Sequence, residues 1–367
     1  MAFCQNDTAL FDEDSAVLKF FDKWQTFYSP FHGPICVSIC VFGIVTNILH
    51  ILVLANASMR TVAVNAVLIA IAVCDMGTMS TYLIYLLHFN IRLFDRPCTT
   101  SWSYGWMLFL TIHACCSILL HTASLWLSVG MAFIRQQTLR SGAITSKWHQ
   151  PRTAWMMNVL VYLFVGILTV PTILVHRITK IGEKGNTTEC PDVVGIYTIV
   201  VPELFQQHGC AGYKANLWLT GIVFKVIPCI LLIYLSADLI VQLRKANKRR
   251  RRMLTNSRAT PSETVNGANL NCAAARRQAR FAGADRTNIV LIAVVLVFVI
   301  TEMPQGTVAL LSAIYTSDVH QHVYMRIGDV LDLLSLINSS VNFVLYCIVS
   351  SKYRATFWKV LLPKQVY

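Results

Sequence analysis

The chain has 367 residues, of which 55% are hydrophobic and only 13% are charged, whereas soluble domains carry about 25% charged residues. That composition excludes an ordinary soluble domain and predicts a polytopic membrane protein. The formal net charge of +13 does not argue for nucleic acid, because the basic residues gather in a few loops.

Residues 1–28 are polar and acidic, with Asp7, Asp12, Glu13 and Asp14. They lack the charged, apolar and small-residue order of a secretory signal, so the first apolar span is expected to direct membrane insertion. A helix needs about 20 apolar residues to cross a bilayer. Seven such spans are read at roughly 34–55, 62–89, 104–134, 153–175, 215–243, 287–314 and 324–349. The fold class expected is an all-α membrane protein, a seven-helix bundle. An amphipathic stretch follows at about 351–361, with Tyr353, Phe357 and Leu361 on one face, the pattern of a helix lying on a membrane surface. The organisation expected is an outer N-terminus (1–30), the seven-span domain (31–350) and a tail (351–367).

Lysine and arginine set the orientation. Arg135, Arg140, Lys147 and Arg152 follow span three, and the segment 244–286 holds twelve basic residues against Glu263 and Asp285. These loops and the tail are expected in the cytoplasm, beside anionic lipid, with the N-terminus outside. Two sequons, at Asn6 and Asn186, fall in segments placed outside, where glycosylation takes place. Seven cysteines lie in apolar spans and read as small buried hydrophobes. Cys4, Cys98, Cys190 and Cys210 fall outside, where disulfides persist.

Several spans carry polar residues that the bilayer would penalise unless they face the bundle interior. Asn47 is in span one, Asp75 in span two, and His113, His121 and Ser124 in span three. Lys225 and Pro228 are in span five. Glu302, Pro304 and Gln305 are in span six, and Asp329, Asp332, Asn338, Asn342 and Tyr346 in span seven. Pro304 lacks a backbone donor, which predicts a kink beside the buried carboxylate. Asp329 and Asp332 are three residues apart, so they share a helical face.

Seven spans with these residues in register resemble the rhodopsin-like G-protein-coupled receptors. Asn47 and Asp75 match that family's polar residues in helices one and two. Arg135 looks like its helix-three arginine, Pro228 and Pro304 like its prolines, and Asn342-Phe343-Val344-Leu345-Tyr346 like its Asn-Pro-x-x-Tyr motif. Ile134 and Gln136 replace the arginine's acidic and aromatic neighbours, Phe343 replaces a proline, Glu302 a tryptophan, and Phe109 a cysteine. The stretches Phe224–Cys229, Thr301–Gly306 and Asn338–Phe343 resemble invertebrate receptors of the myosuppressin, FMRFamide-like and sex-peptide group. Nematode chemoreceptors share part of the pattern.

The resemblance implies a plasma-membrane receptor for an extracellular peptide, coupled to a heterotrimeric G-protein through Arg135 and Tyr346. It implies that Lys225 and Glu302 face each other, with His121 below them, as a polar switch beside Pro304. It implies that Asp75, Ser124, Asn338 and Asn342, with Asn47 beside them, hold a sodium ion or a protonated network. A ligand pocket of Tyr82, Tyr85, His88, His113, Glu203, Gln305, Asp329 and Asp332 is expected to take the guanidinium and ring of an Arg-Phe-amide end. Cys98 with Cys190 or Cys210 is the expected disulfide. The missing acid at Ile134 predicts raised basal activity relative to Ile134→Asp. The other readings are a small-molecule chemoreceptor of the same fold and an ion-coupled transporter using Glu302, Lys225 and Asp75 as a relay. No nucleophile–base pair, metal spacing or phosphate loop suggests an enzyme.

Overall fold

The computed structural model describes residues 15–92, 103–141, 147–182, 196–256, 296–316 and 319–362. Asn6, Asn186, Cys98, Cys190 and most of the basic segment 244–286 lie outside them. Among the described residues, seven helices are long and apolar enough to cross a membrane. They are α1 (Ala16–Ala55), α2 (Ala63–Tyr85), α3 (Tyr104–Ser141), α4 (Pro151–Leu174), α5 (Glu203–Trp218, continuing to Asn256), α6 (Leu296–Ile314) and α7 (Met325–Val349). A short α8 (Ser351–Leu361) follows.

Four features depart from what hydropathy predicts. First, α1 begins at Ala16 rather than near residue 34. Ser15 caps it, its side chain accepting from the Val17 amide at 3.3 Å, and such a cap satisfies one orphan donor of the first turn. Lys19, Asp22 and Lys23 lower the hydropathy of this stretch without interrupting the helix.

Second, three helices carry π-helical stretches, at Leu86–Arg92 after α2, Leu219–Val226 within α5 and Val319–Tyr324 before α7. The one in α5 ends two residues before Pro228. Proline cannot donate to the preceding turn, so a slipped hydrogen-bond register is accommodated there.

Third, the outer loop between α4 and α5 contains an antiparallel hairpin, β1 (Arg177–Gly182) with β2 (Ile196–Val200), in the register Arg177↔Val200. Fourth, the backbone turns left-handed at His208, Gly209 and Cys210 (φ 52°, 68° and 63°). Regular helix resumes only after this break.

α3 is the centre of the bundle. It packs against α2, α4 and α5, while α1 packs against α2 and α7. One apolar core joins Leu54, Leu68 and Ile71 to Leu127, Ile134 and Tyr353. A second joins Leu125 and Val129 of α3 to Cys229, Leu232 and Phe298. Lipid tails are as apolar as leucine, so close backbone approach and polar contacts carry much of helix association. Gly306 of α6 illustrates this: a Cβ there would stand 3.1 Å from Lys225 Cβ and 3.5 Å from a Val226 methyl. The outward face of α4 leaves Leu160, Leu163 and Ile167 exposed, as a lipid-facing surface should. Cys36, Cys40, Cys74, Cys115 and Cys229 are buried free thiols and Cys116 and Cys347 half-buried ones, consistent with their reading as small hydrophobes. Cys210 is buried and is not among the free thiols.

Candidate functional site

A cavity of about 470 Å3 opens between α2, α3, α4, α5, α6 and α7. Tyr82, Tyr85, His113, Gln305 and Asp332, all expected from the sequence, line it together with His121 and Lys225. The sequence reading passed over Asn216, Tyr213 and Tyr324, which also line it. Tyr213 and Tyr324 lie near helix ends, where an aromatic gives no periodic signal of facing inward.

Other expected residues stand elsewhere. His88 is buried and stacked on Trp106, with ring centroids 3.3 Å apart, because the π-helical stretch after Tyr85 rotates it away from the cavity. Glu203 is exposed in the first turn of α5. Asp329 lies outside the lining, its side chain 42% exposed and 3.9 Å from His32.

The floor of the cavity is polar. Glu302 is fully buried. Its Oε2 accepts from Lys225 Nζ at 2.7 Å, and His121 Nε2 lies 3.0 and 3.1 Å from its two oxygens. Asn338 Nδ2 donates to Oε1 at 3.1 Å. One carboxylate therefore ties α3, α5, α6 and α7 together. Two buried charges at such contact offset much of each other's desolvation cost, helped by the two further partners. Gly306 permits this geometry, since its missing side chain lets the start of the Lys225 side chain sit against α6. Gln305, next along α6, donates to the Leu331 carbonyl at 2.6 Å and reaches the Ser335 hydroxyl.

Below lies a second polar group. Asp75 Oδ1 accepts from Ser124 Oγ at 2.9 Å and Oδ2 from Asn342 Nδ2 at 3.2 Å. Asn338 was expected here. It turns instead to Glu302, because it precedes Asn342 by one helical turn and so stands level with α6's carboxylate. Asn47 does not touch Asp75 either; it donates to the backbone carbonyls of Gly43 at 2.9 Å and Ser339 at 3.1 Å.

At the opposite end from the cavity, Arg135 donates to the Tyr346 hydroxyl. Gln136 and Arg140 both reach Asp238 of α5, the latter at 3.0 Å. Ile134 is fully buried. Ile134→Asp would place a carboxylate in this buried site beside Arg135, so the comparison of basal signalling requires equal surface expression of the two forms. α8 is held by a buried pair, His50 Nδ1 and the Tyr353 hydroxyl at 2.8 Å. Burial pushes the Tyr353 phenol above its ordinary range.

Seven spans, a polar floor and an arginine at the far end of α3 form the frame of a receptor. Residues 35–364 match the family described as serpentine type 7TM GPCR chemoreceptor Srw. The chain belongs to this family of seven-transmembrane G-protein-coupled receptors. As an Srw-family receptor it is a multi-pass membrane protein and not an enzyme. It is 32% identical to the G-protein coupled receptor dmsr-1 of Caenorhabditis elegans, over 99% of this chain and 74% of that one. It is 24% identical to the Sex peptide receptor of Drosophila melanogaster, over 91% of this chain and 73% of that one. The Srw match begins at Ile35, so the first five turns of α1 precede it.

Proposed function

We propose that this protein is a plasma-membrane receptor, N-terminus outside, whose cavity takes the cationic, amidated end of a neuropeptide and whose opposite end engages a heterotrimeric G-protein. The observation that carries the reading is the charge pattern of the cavity. Lys225 is occupied by Glu302 at the floor. Asp332 in the wall accepts from the Tyr82 hydroxyl at 3.0 Å and, among the described residues, has no lysine or arginine in ion-pair contact. A half-buried carboxylate with spare acceptor capacity suits a guanidinium. Tyr82, Tyr85 and Tyr213 offer an aromatic surface to an adjoining ring. A volume of about 470 Å3 is within the usual range for ligand pockets and fits a peptide's end rather than its whole length. The relative whose name states a peptide, the Sex peptide receptor, supports the same class of ligand.

Asp75 and Ser124 present the hard oxygen donors that a sodium ion takes, and we assign them to such an ion if one is held. The family description names chemoreceptors, which supports a second reading, a small-molecule ligand in the same cavity. Cells expressing the chain with a promiscuous G-protein, challenged with Arg-Phe-amide peptides and their C-terminal free acids, separate the two. A nanomolar response that the free acids lose supports the peptide reading. Silence at confirmed surface expression refutes it.

A further inference from the structure

His32 of α1 belongs to no expected set, lines no part of the cavity, and is 1% exposed. It nevertheless stands between the two carboxylates of α7. Its Nε2 lies 3.2 Å from the Tyr82 hydroxyl and 3.9 Å from Asp329 Oδ1. Its Nδ1 lies 3.2 Å from the Tyr28 hydroxyl and 3.6 Å from Cys36 Sγ. On the cavity side, Tyr82 donates to Asp332 at 3.0 Å.

Proton counting fixes the direction of this chain. A phenol has one hydrogen, and Asp332, an acceptor, takes it. The phenol oxygen must then accept from the imidazole, so Nε2 carries a hydrogen. In the neutral ring Nδ1 is bare and accepts from Tyr28 or Cys36, each of which has a hydrogen to give. The opposite tautomer leaves Nε2 and Asp332 competing for a single phenol proton. Of the two neutral tautomers, only the one with the hydrogen on Nε2 satisfies every group in the relay.

We propose that His32 is a positioning residue for ligand recognition. Through Tyr82 it holds a proton on one side of Asp332, so that the remaining acceptor positions of that carboxylate face the cavity. It acts without touching ligand. The proposal rests on the reading of Asp332 as the partner of a ligand cation. It names the element, the outer part of α1, that sets how Asp332 is presented.

The test uses the full-length receptor in cells and two amidated probes, one ending in Arg-Phe and one with citrulline in place of the arginine, nearly isosteric but uncharged. His32→Phe keeps the ring and removes both nitrogens. It should shift the half-maximal concentration of the arginine probe by about three- to tenfold, the range of one hydrogen bond, and leave the citrulline probe unchanged. In a Tyr82→Phe background the same substitution should add nothing, since the relay is already cut. His32→Gln, which keeps an N–H donor and is the gentler change for folding, should retain the wild-type preference. An equal shift for both probes marks a merely structural role and overturns the proposal. So does an additive shift in the double variant, or loss of preference in a surface-expressed His32→Gln. Asp332→Asn is the control on the underlying reading. If it fails to reduce the preference for arginine, or if the wild type is silent to both probes, that reading falls and the proposal with it.

Discussion

Consider removing Glu302. The carboxylate is fully buried and has three partners, Lys225, His121 and Asn338. Glu302→Ala leaves the Lys225 ammonium buried without its counter-charge, and breaking one side of a buried pair costs about 3–5 kcal/mol. At about 1.4 kcal/mol per tenfold, the ratio of folded to unfolded protein falls by roughly two to three and a half orders of magnitude. Lys225→Met should do comparable damage by stranding the carboxylate, which His121 and Asn338 only partly satisfy. The double variant Lys225→Met with Glu302→Gln strands neither charge and should recover most of the loss, because replacing both partners of a buried pair is often close to neutral. The reversed pair, Lys225→Glu with Glu302→Lys, should recover expression less completely, since His121 and Asn338 then face an ammonium. Surface expression by cell-surface immunoassay and melting temperature in nanodiscs measure these effects. Singles that express and melt like wild type, or a double no better than the worse single, would refute the reasoning.

Other outcomes follow from the same geometry. Gly306→Val should lower surface expression and, in what is expressed, agonist potency, because its Cβ meets Lys225 Cβ at 3.1 Å; radioimmunoassay and dose–response curves check it. Asp332→Asn should weaken activation by an Arg-Phe-amide peptide about tenfold, the effect of losing a desolvated charge partner, with an unchanged curve removing Asp332 from the site. Asp238→Asn should raise basal signalling by up to about fivefold at equal surface expression, since it releases Gln136 and Arg140 and a partly exposed pair is worth about 0.2–1 kcal/mol; cAMP in unstimulated cells reads it. Tyr353→Phe should loosen α8 by about 1 kcal/mol, the net worth of a typical hydrogen bond, visible as faster hydrogen exchange across Ser351–Leu361.

The helical spans were legible as apolar runs long enough to cross a bilayer, and a charge inside such a run is costly, so Lys225 and Glu302 announced that each needs a partner. That they meet each other and His121 was what the resemblance to the receptor family implied. What stayed hidden lacked such a penalty or depended on a fraction of a turn. Asn338 and Asn342 are chemically identical, and only their one-turn separation sends them to different carboxylates. His88 looked inward until the π-helical stretch at Leu86–Arg92 rotated it. The hairpin between α4 and α5 gave no alternation strong enough to read. His32 was missed because Lys19, Asp22 and Lys23 pushed its segment outside the first expected span, where a histidine needs no explanation.

At 1.5 Å per residue, the 40 residues of α1 reach about 60 Å, roughly twice the hydrocarbon thickness of a bilayer. The surplus is tied to the neighbouring helix: Arg326, one residue into α7, grips Asp22 at 2.5 Å, and Gln25 donates to the Met325 carbonyl at 3.2 Å. α7 also carries Asp332 and Asn338, so a shift of its upper end would be passed to the first turns of α1. A fluorophore attached near Ser15 thus becomes an optical reporter of that shift. Its signal would follow the upper end of α7 without any G-protein in the assay.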